Sequence, residues 1–114
     1  MTEEDKKRMA AHMKEAMPVM RKSLNITQSE LSVRSGVSRA VISNVERGIQ
    51  PLSWDAFVAI TAVFRSNPTS SKMFDVYGID LKQLQDFFCI ESQRQDPSIS
   101  ILEDETGERY ENNT

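Results

Sequence analysis

The 114-residue chain holds one cysteine, Cys89, so no disulfide can form within a single copy. A cystine-stapled scaffold is excluded, and a thiol in the run Phe87-Phe88-Cys89-Ile90 reads as a buried group in a reducing compartment. The lone histidine, His12, has no companion at metal-ligand spacing and is expected to be an exposed side chain. Long apolar runs are missing too. The longest, Ala56 to Phe64, has nine residues and contains Thr61, against roughly 20 for a membrane helix. No charged start followed by an apolar core marks a secretory leader. Gly-rich phosphate loops, HExxH, CxxC and GxSxG patterns are all absent, as are internal repeats. These absences predict a cytoplasmic protein that is not an enzyme and needs no cofactor or metal.

Positive charge is scarce overall, with 14 Lys and Arg against 17 Asp and Glu for a net of -3. Its distribution is uneven. Residues 1–50 carry nine basic against six acidic side chains, and residues 51–114 carry five against eleven. A basic half joined to an acidic half suits a nucleic-acid surface with an acidic appendage.

What the sequence does contain is centred on Thr27 to Gly48. Thr27 with Glu30 has the capping-box pattern, which starts a helix over Gln28 to about Arg34. Gly36 stops it and turns the chain. Ser38 then caps a second helix, Arg39 to Arg47, ended by Gly48. Val37, Ile42 and Val45 point inward, which leaves Arg39, Ala40, Ser43, Asn44 and Arg47 on the opposite face. Arginine can offer two parallel donors to guanine, and asparagine can pair with adenine in the same bidentate way. Gln28, at a helix start, is placed to hold a phosphate.

Arg21, Leu24, Ile26-Thr27-Gln28, Glu30-Leu31, Gly36-Val37-Ser38, Ile42-Ser43 and Val45-Glu46-Arg47-Gly48 together resemble the helix-turn-helix of the phage Cro and C1 repressor class, the Xre-like or lambda-repressor-like family. The resemblance covers about Met13 to Phe64. It implies that the second helix enters the major groove of double-stranded DNA and that the protein binds a near-palindromic operator as a homodimer. Carried over by position, Arg39, Ala40, Ser43 and Asn44 face bases. Gln28, Ser38, Arg47, Gln50 and Ser53 are the phosphate candidates. Arg21 and Glu46 match a structural ion pair between helices. Ser32 and Val41 depart from the family pattern, where alanine and a small polar residue are usual.

Around this centre, Thr2 is a plausible cap for a first helix, and Met9, Met13, Ala16, Met17, Met20 and Leu24 form one apolar stripe along it, for the core or a dimer contact. Pro18 predicts a kink or break near Lys14 to Met17, separating an extension from the family's first helix. Ser53 caps a helix from Trp54 to about Phe64, with Trp54, Phe57, Ile60 and Phe64 inward. Ser66 to Ser71 is turn chemistry, and Ser70 can cap a short helix that Gly78 terminates. Asp80 with Gln83 opens a stripe of Leu81, Leu84, Phe87, Phe88 and Ile90, which either completes the core or pairs with a second copy.

The expected architecture is all-α. An N-terminal helical extension (residues 1–12) leads into a helix-turn-helix domain (13–66), then C-terminal helices (67–91) for core completion or dimerisation through Leu81, Leu84, Phe87 and Phe88. Residues 92–114 are expected to form an acidic tail, with a small hairpin around Thr106-Gly107. The functional expectation is a dimeric, sequence-specific transcriptional repressor. The alternative is a protein-interaction module, an antitoxin or anti-repressor, that uses the same fold and engages a partner through the C-terminal helices or tail.

Overall fold

A computed structural model describes residues 1–90, and all regular structure among them is helical. The tail and the hairpin around Thr106-Gly107 lie outside the described residues. Seven helices follow in order: α1 Glu3–Ser23, α2 Gln28–Ser35, α3 Arg39–Glu46, α4 Trp54–Arg65, α5 Pro68–Ser71, α6 Met73–Val76 and α7 Leu81–Phe88.

The long first helix is the spine. Thr2 Oγ1 accepts from the Asp5 N–H and Asp5 returns the bond to the Thr2 N–H, so the N-terminal donors are satisfied reciprocally. That backbone bond, with the Arg8 guanidinium 2.6 Å away, lowers the Asp5 pKa to about 2. The expected break at Pro18 does not occur: α1 is continuous for 21 residues. Proline cannot donate to the Lys14 carbonyl, but Met13, Ala16, Met17 and Met20 around it are fully buried. Packing of that stripe against α3, α4, α5 and α6 keeps the helix continuous through the missing bond. The methionines are therefore core filler.

Turns between helices follow from a few residues able to take positive φ. After α1 the left-handed residue is Asn25 (φ 57), and the bonds Ile26 N–H to Arg21 O and Asn25 N–H to Lys22 O form a Schellman closure. Gly48 (φ 77) and Gly78 (φ 78) close α3 and α6 in the same way. Gly36 (φ 80) ends α2 as expected from the sequence, with Ser35 the last helical residue.

The core collects Leu31, Ile42, Val45, Phe57, Ile60 and Phe64 onto the methionine stripe. Phe74, Ile79 and Leu84 extend it into the C-terminal helices. Ser66 to Ser71 is not purely a turn, since Asn67 caps the short α5 with Pro68 at its start. Ser70 does not cap the next helix. It is buried, and its hydroxyl donates to the Phe64 carbonyl at 2.6 Å, tying α5 to the end of α4. Two further expectations change. His12 is half-buried rather than exposed, with Nδ1 3.1 Å from the Gly78 carbonyl. Cys89 is exposed, because α7 ends at Phe88 and turns the thiol out of the apolar stripe.

A side chain at Gly78 would meet two penalties, the left-handed backbone and a Cβ 2.9 Å from His12 Nδ1. Gly78→Ala is expected to lower unfolding free energy by about 1–2 kcal/mol from the backbone alone, with a further loss from the clash. Chemical denaturation of Gly78→Ala with and without His12→Ala separates the two: the second substitution should relieve the clash and leave the backbone cost.

Candidate nucleic-acid interface

The outer face of α3 depends on how its inner face is held. Ile42 and Val45 are fully buried, and Ser38 accepts from the Val41 N–H to start the helix in a defined orientation. The sequence runs Arg39 through Arg47 as helix; the last regular residue is Glu46, with Arg47 as the C-cap.

Glu46 is the fixed point. Arg21 of α1 grips it with two parallel bonds, Nε to Oε2 and Nη2 to Oε1, both 2.8 Å. Only 13% of the Arg21 side chain and 7% of the Glu46 side chain remain accessible. The third nitrogen of Arg21 donates to the Ile26 carbonyl at 3.2 Å, so the same guanidinium also pins the α1–α2 turn. Gln28 Nε2 donates to Glu46 Oε1 at 3.1 Å. Burial presses Glu46 toward its neutral form, but the bonds from Arg21 and Gln28 and the charges of Arg21 and Lys22 outweigh it, and its pKa lies below the usual 4.5. The same bonds push the Arg21 pKa up.

Gln28 is thus placed differently from the sequence expectation. Its amide donor is turned to Glu46 and joins α2 to α3. Asn44 and Gln50 also differ. They bond to each other, Asn44 Nδ2 to Gln50 Oε1 at 3.1 Å, and both are half-buried. The Asn44 carbonyl additionally accepts from the Ile49 N–H at 2.8 Å. Neither interaction was legible from residue type alone.

The remaining candidates lie open. Arg39 and Ala40 are exposed and Ser43 is half-buried on the α3 surface; Ser38, Arg47 and Ser53 are exposed at helix ends. Ser38 and Ser53 cap α3 and α4 through their oxygens, which leaves each hydroxyl hydrogen free to donate. The structure also brings Lys7 and Lys14 of α1 to the α3–α4 loop, two cations to which sequence reasoning gave no binding role. Their seven-residue spacing, which repeats a helical face, was the signal available. On the far side, Phe87, Phe88 and Ile90 are exposed, whereas Leu84 is buried within the chain's own core.

Comparison with known proteins follows this geometry. A helix-turn-helix family model matches residues 20–71, which run from the end of α1 to the end of α5. Over 51 residues the chain is 39% identical to the DNA polymerase III subunit alpha of Yersinia pestis, covering 45% of this chain and 4% of that protein. No solved structure matches.

Removing either partner of the buried ion pair strands the other charge, so Arg21→Ala or Glu46→Ala is expected to cost about 3–5 kcal/mol. Because the folded-state pKa of Glu46 is depressed, its contribution is fully present above about pH 4.5 and is lost as pH falls through the folded value. Denaturation of the parent and Glu46→Gln across this range checks the sign: the parent should lose more stability on acidification than the variant.

Proposed function

Residues 20–71 match a helix-turn-helix family model, and from that premise we propose that the protein is a Cro/C1-type, dimeric, sequence-specific transcriptional repressor acting in the cytoplasm. The observation that carries this reading is an exposed Arg39 at the start of a helix whose opposite face is locked by Ile42, Val45 and the Arg21–Glu46 pair. A duplex seated against α3 meets the guanidinium of Arg39 first, with Ala40 small enough to admit a base edge. Ser43 and the Asn44–Gln50 pair follow along the helix. Ser38, Arg47, Ser53 and the backbone N–H groups at the start of α2 flank this strip and suit phosphates. Gln28 acts through Glu46 as a positioning residue.

The polymerase resemblance lends support only to the domain. It spans 51 residues, the length of the helix-turn-helix itself, and 4% of that protein. Polymerase chemistry is not part of the proposal.

An eight-residue recognition helix presents only a few side chains to bases, so useful discrimination favours two copies on two half-sites. The apolar surface of α7 suits that pairing. Phe87, Phe88 and Ile90 are exposed, and beside them lies a groove of about 310 Å³ lined by Thr61, Arg65, Leu81, Leu84, Gln85, Phe88 and Cys89. Thr61 Oγ1 is buried on this side and has no hydrogen-bond partner among the described residues.

Two measurements test the proposal. Arg39→Ala should relax selection at one base position and cost about 1–3 kcal/mol there, read by competition among duplexes recovered from a random-sequence pool. A uniform loss on every sequence would make Arg39 a phosphate anchor, and sequence-blind binding by the parent would favour the interaction-module reading. Phe88→Glu should turn a dimer into a monomer in sedimentation equilibrium while leaving the helical circular-dichroism signal intact. Unchanged dimer mass would remove α7 from the interface.

A further inference from the structure

We propose that the N-terminal half of α1 is a second clamp on the nucleic-acid backbone, with Lys7 and Lys14 as its phosphate-binding residues. This rests on the DNA-binding reading above and extends the contact surface beyond the matched family segment, which begins at residue 20.

The α3–α4 connection, Gly48 to Ser53, contains no cation. Directly beside it, Lys7, Ala10, Ala11 and Lys14 form one stripe of α1 at spacings of three, four and seven. The stripe and loop residues 48–52 enclose a groove of about 450 Å³. Its floor is small, since Ala10 is buried and Ala11 offers only a methyl group. Lys7 and Lys14 both line it, their backbone positions about 10 Å apart along the helix axis. The Lys14 head lies against the loop: a Cβ built on Gly48 would sit 3.5 Å from Lys14 Nζ, an ordinary van der Waals contact.

The two lysines are free where their neighbours are not. Lys6 pairs with Glu3 and lies 5.3 Å from the centres of the Trp54 and Phe87 rings, and Arg8 pairs with Asp5. Among the described residues Lys7 and Lys14 make no ion pair. The groove adjoins the α3 surface through one residue, Gln50, which lines it and is bonded to Asn44. A duplex held on α3 therefore carries its sugar-phosphate strand past Arg47 and the loop toward this groove. An uncharged loop with two unpaired ammonium groups behind it complements a phosphate strand.

Lys7→Gln, Lys14→Gln and the double variant test the assignment in the full chain. Binding is measured across a salt series to a duplex recovered by random-sequence selection and to a scrambled duplex of equal length. Each substitution should make the log-affinity against log-salt slope shallower by about 0.9. Both duplexes should weaken by the same factor, with the melting temperature unchanged, and Lys72→Gln, at the exposed junction of α5 and α6 outside the groove lining, should leave the slope unaltered. A double variant whose slope equals that of a DNA-binding parent would overturn the clamp and leave the groove to an acidic protein partner. A parent that binds neither duplex would instead remove the DNA-binding reading, and the clamp with it.

Discussion

A single buried carboxylate organises the face that this domain turns outward. Glu46 is the last helical residue of α3, and its two oxygens accept from Arg21 on α1 and Gln28 on α2. A planar guanidinium meeting a carboxylate through two parallel bonds fixes rotation as well as distance. Apolar contact alone, through Ile42 and Val45, would hold α3 against the core but would let it roll about its axis. The ion pair removes that freedom, so the direction in which Arg39 points is set two turns away from Arg39 itself. Taking both charges from water is expensive, and such a pair earns more in orientation than in net stability.

The same spine that supplies Arg21 links this face to the rest of the chain. At its other end α1 meets the C-terminal helices, through His12 against the Gly78 carbonyl and Lys6 against the rings of Trp54 and Phe87. Those contacts are possible only because α1 continues through Pro18. A break there would let the first half of the helix swing away from α7, and Met9 and Met13 would lose their places in the core. The cost of one missing backbone bond is small beside the burial of four methionines, each worth roughly 1.5–3 kcal/mol.

Most of the local architecture was legible because it rests on short-range chemistry. Caps at Thr27, Ser38 and Ser53, positive φ at Gly36, Gly48 and Gly78, and the inward sets of α3 and α4 all follow from residues within a few positions of one another. The ion pair between Arg21 and Glu46 came from family resemblance, since nothing in 25 residues of separation announces a contact. What the sequence misjudged was decided by tertiary packing. Pro18 looked like a break because propensity ignores the buried stripe around it. Cys89 looked buried because its apolar neighbours did, yet the helix ends one residue before it. Gln28, Asn44 and Gln50 carry amides that can bond to anything, and only the folded geometry chose their partners.

That choice shapes how the α3 surface can discriminate. Asn44 reaches Gln50 with its amide and anchors the Ile49 N–H with its carbonyl, so it is both a surface residue and the closure of the helix. The bond to Gln50 uses one of the two hydrogens on Asn44 Nδ2, which leaves the second N–H and Oδ1 for a bidentate contact with adenine. Under the proposed function Gln50 would hold the Asn44 amide in a fixed orientation while its free N–H and oxygen meet the base. On that reading the unit that reads would be a pair, spanning the helix and the loop. Arg39 carries no such obligation: its guanidinium is exposed and makes no ion pair among the described residues. In the proposed complex the start of α3 would therefore offer an exposed, charged reader, and its end a neutral one already bonded to the loop. Discrimination at the first should come from new charge-assisted bonds to a base. At the second it should come from rejecting any base edge that leaves the preformed amide pair unsatisfied.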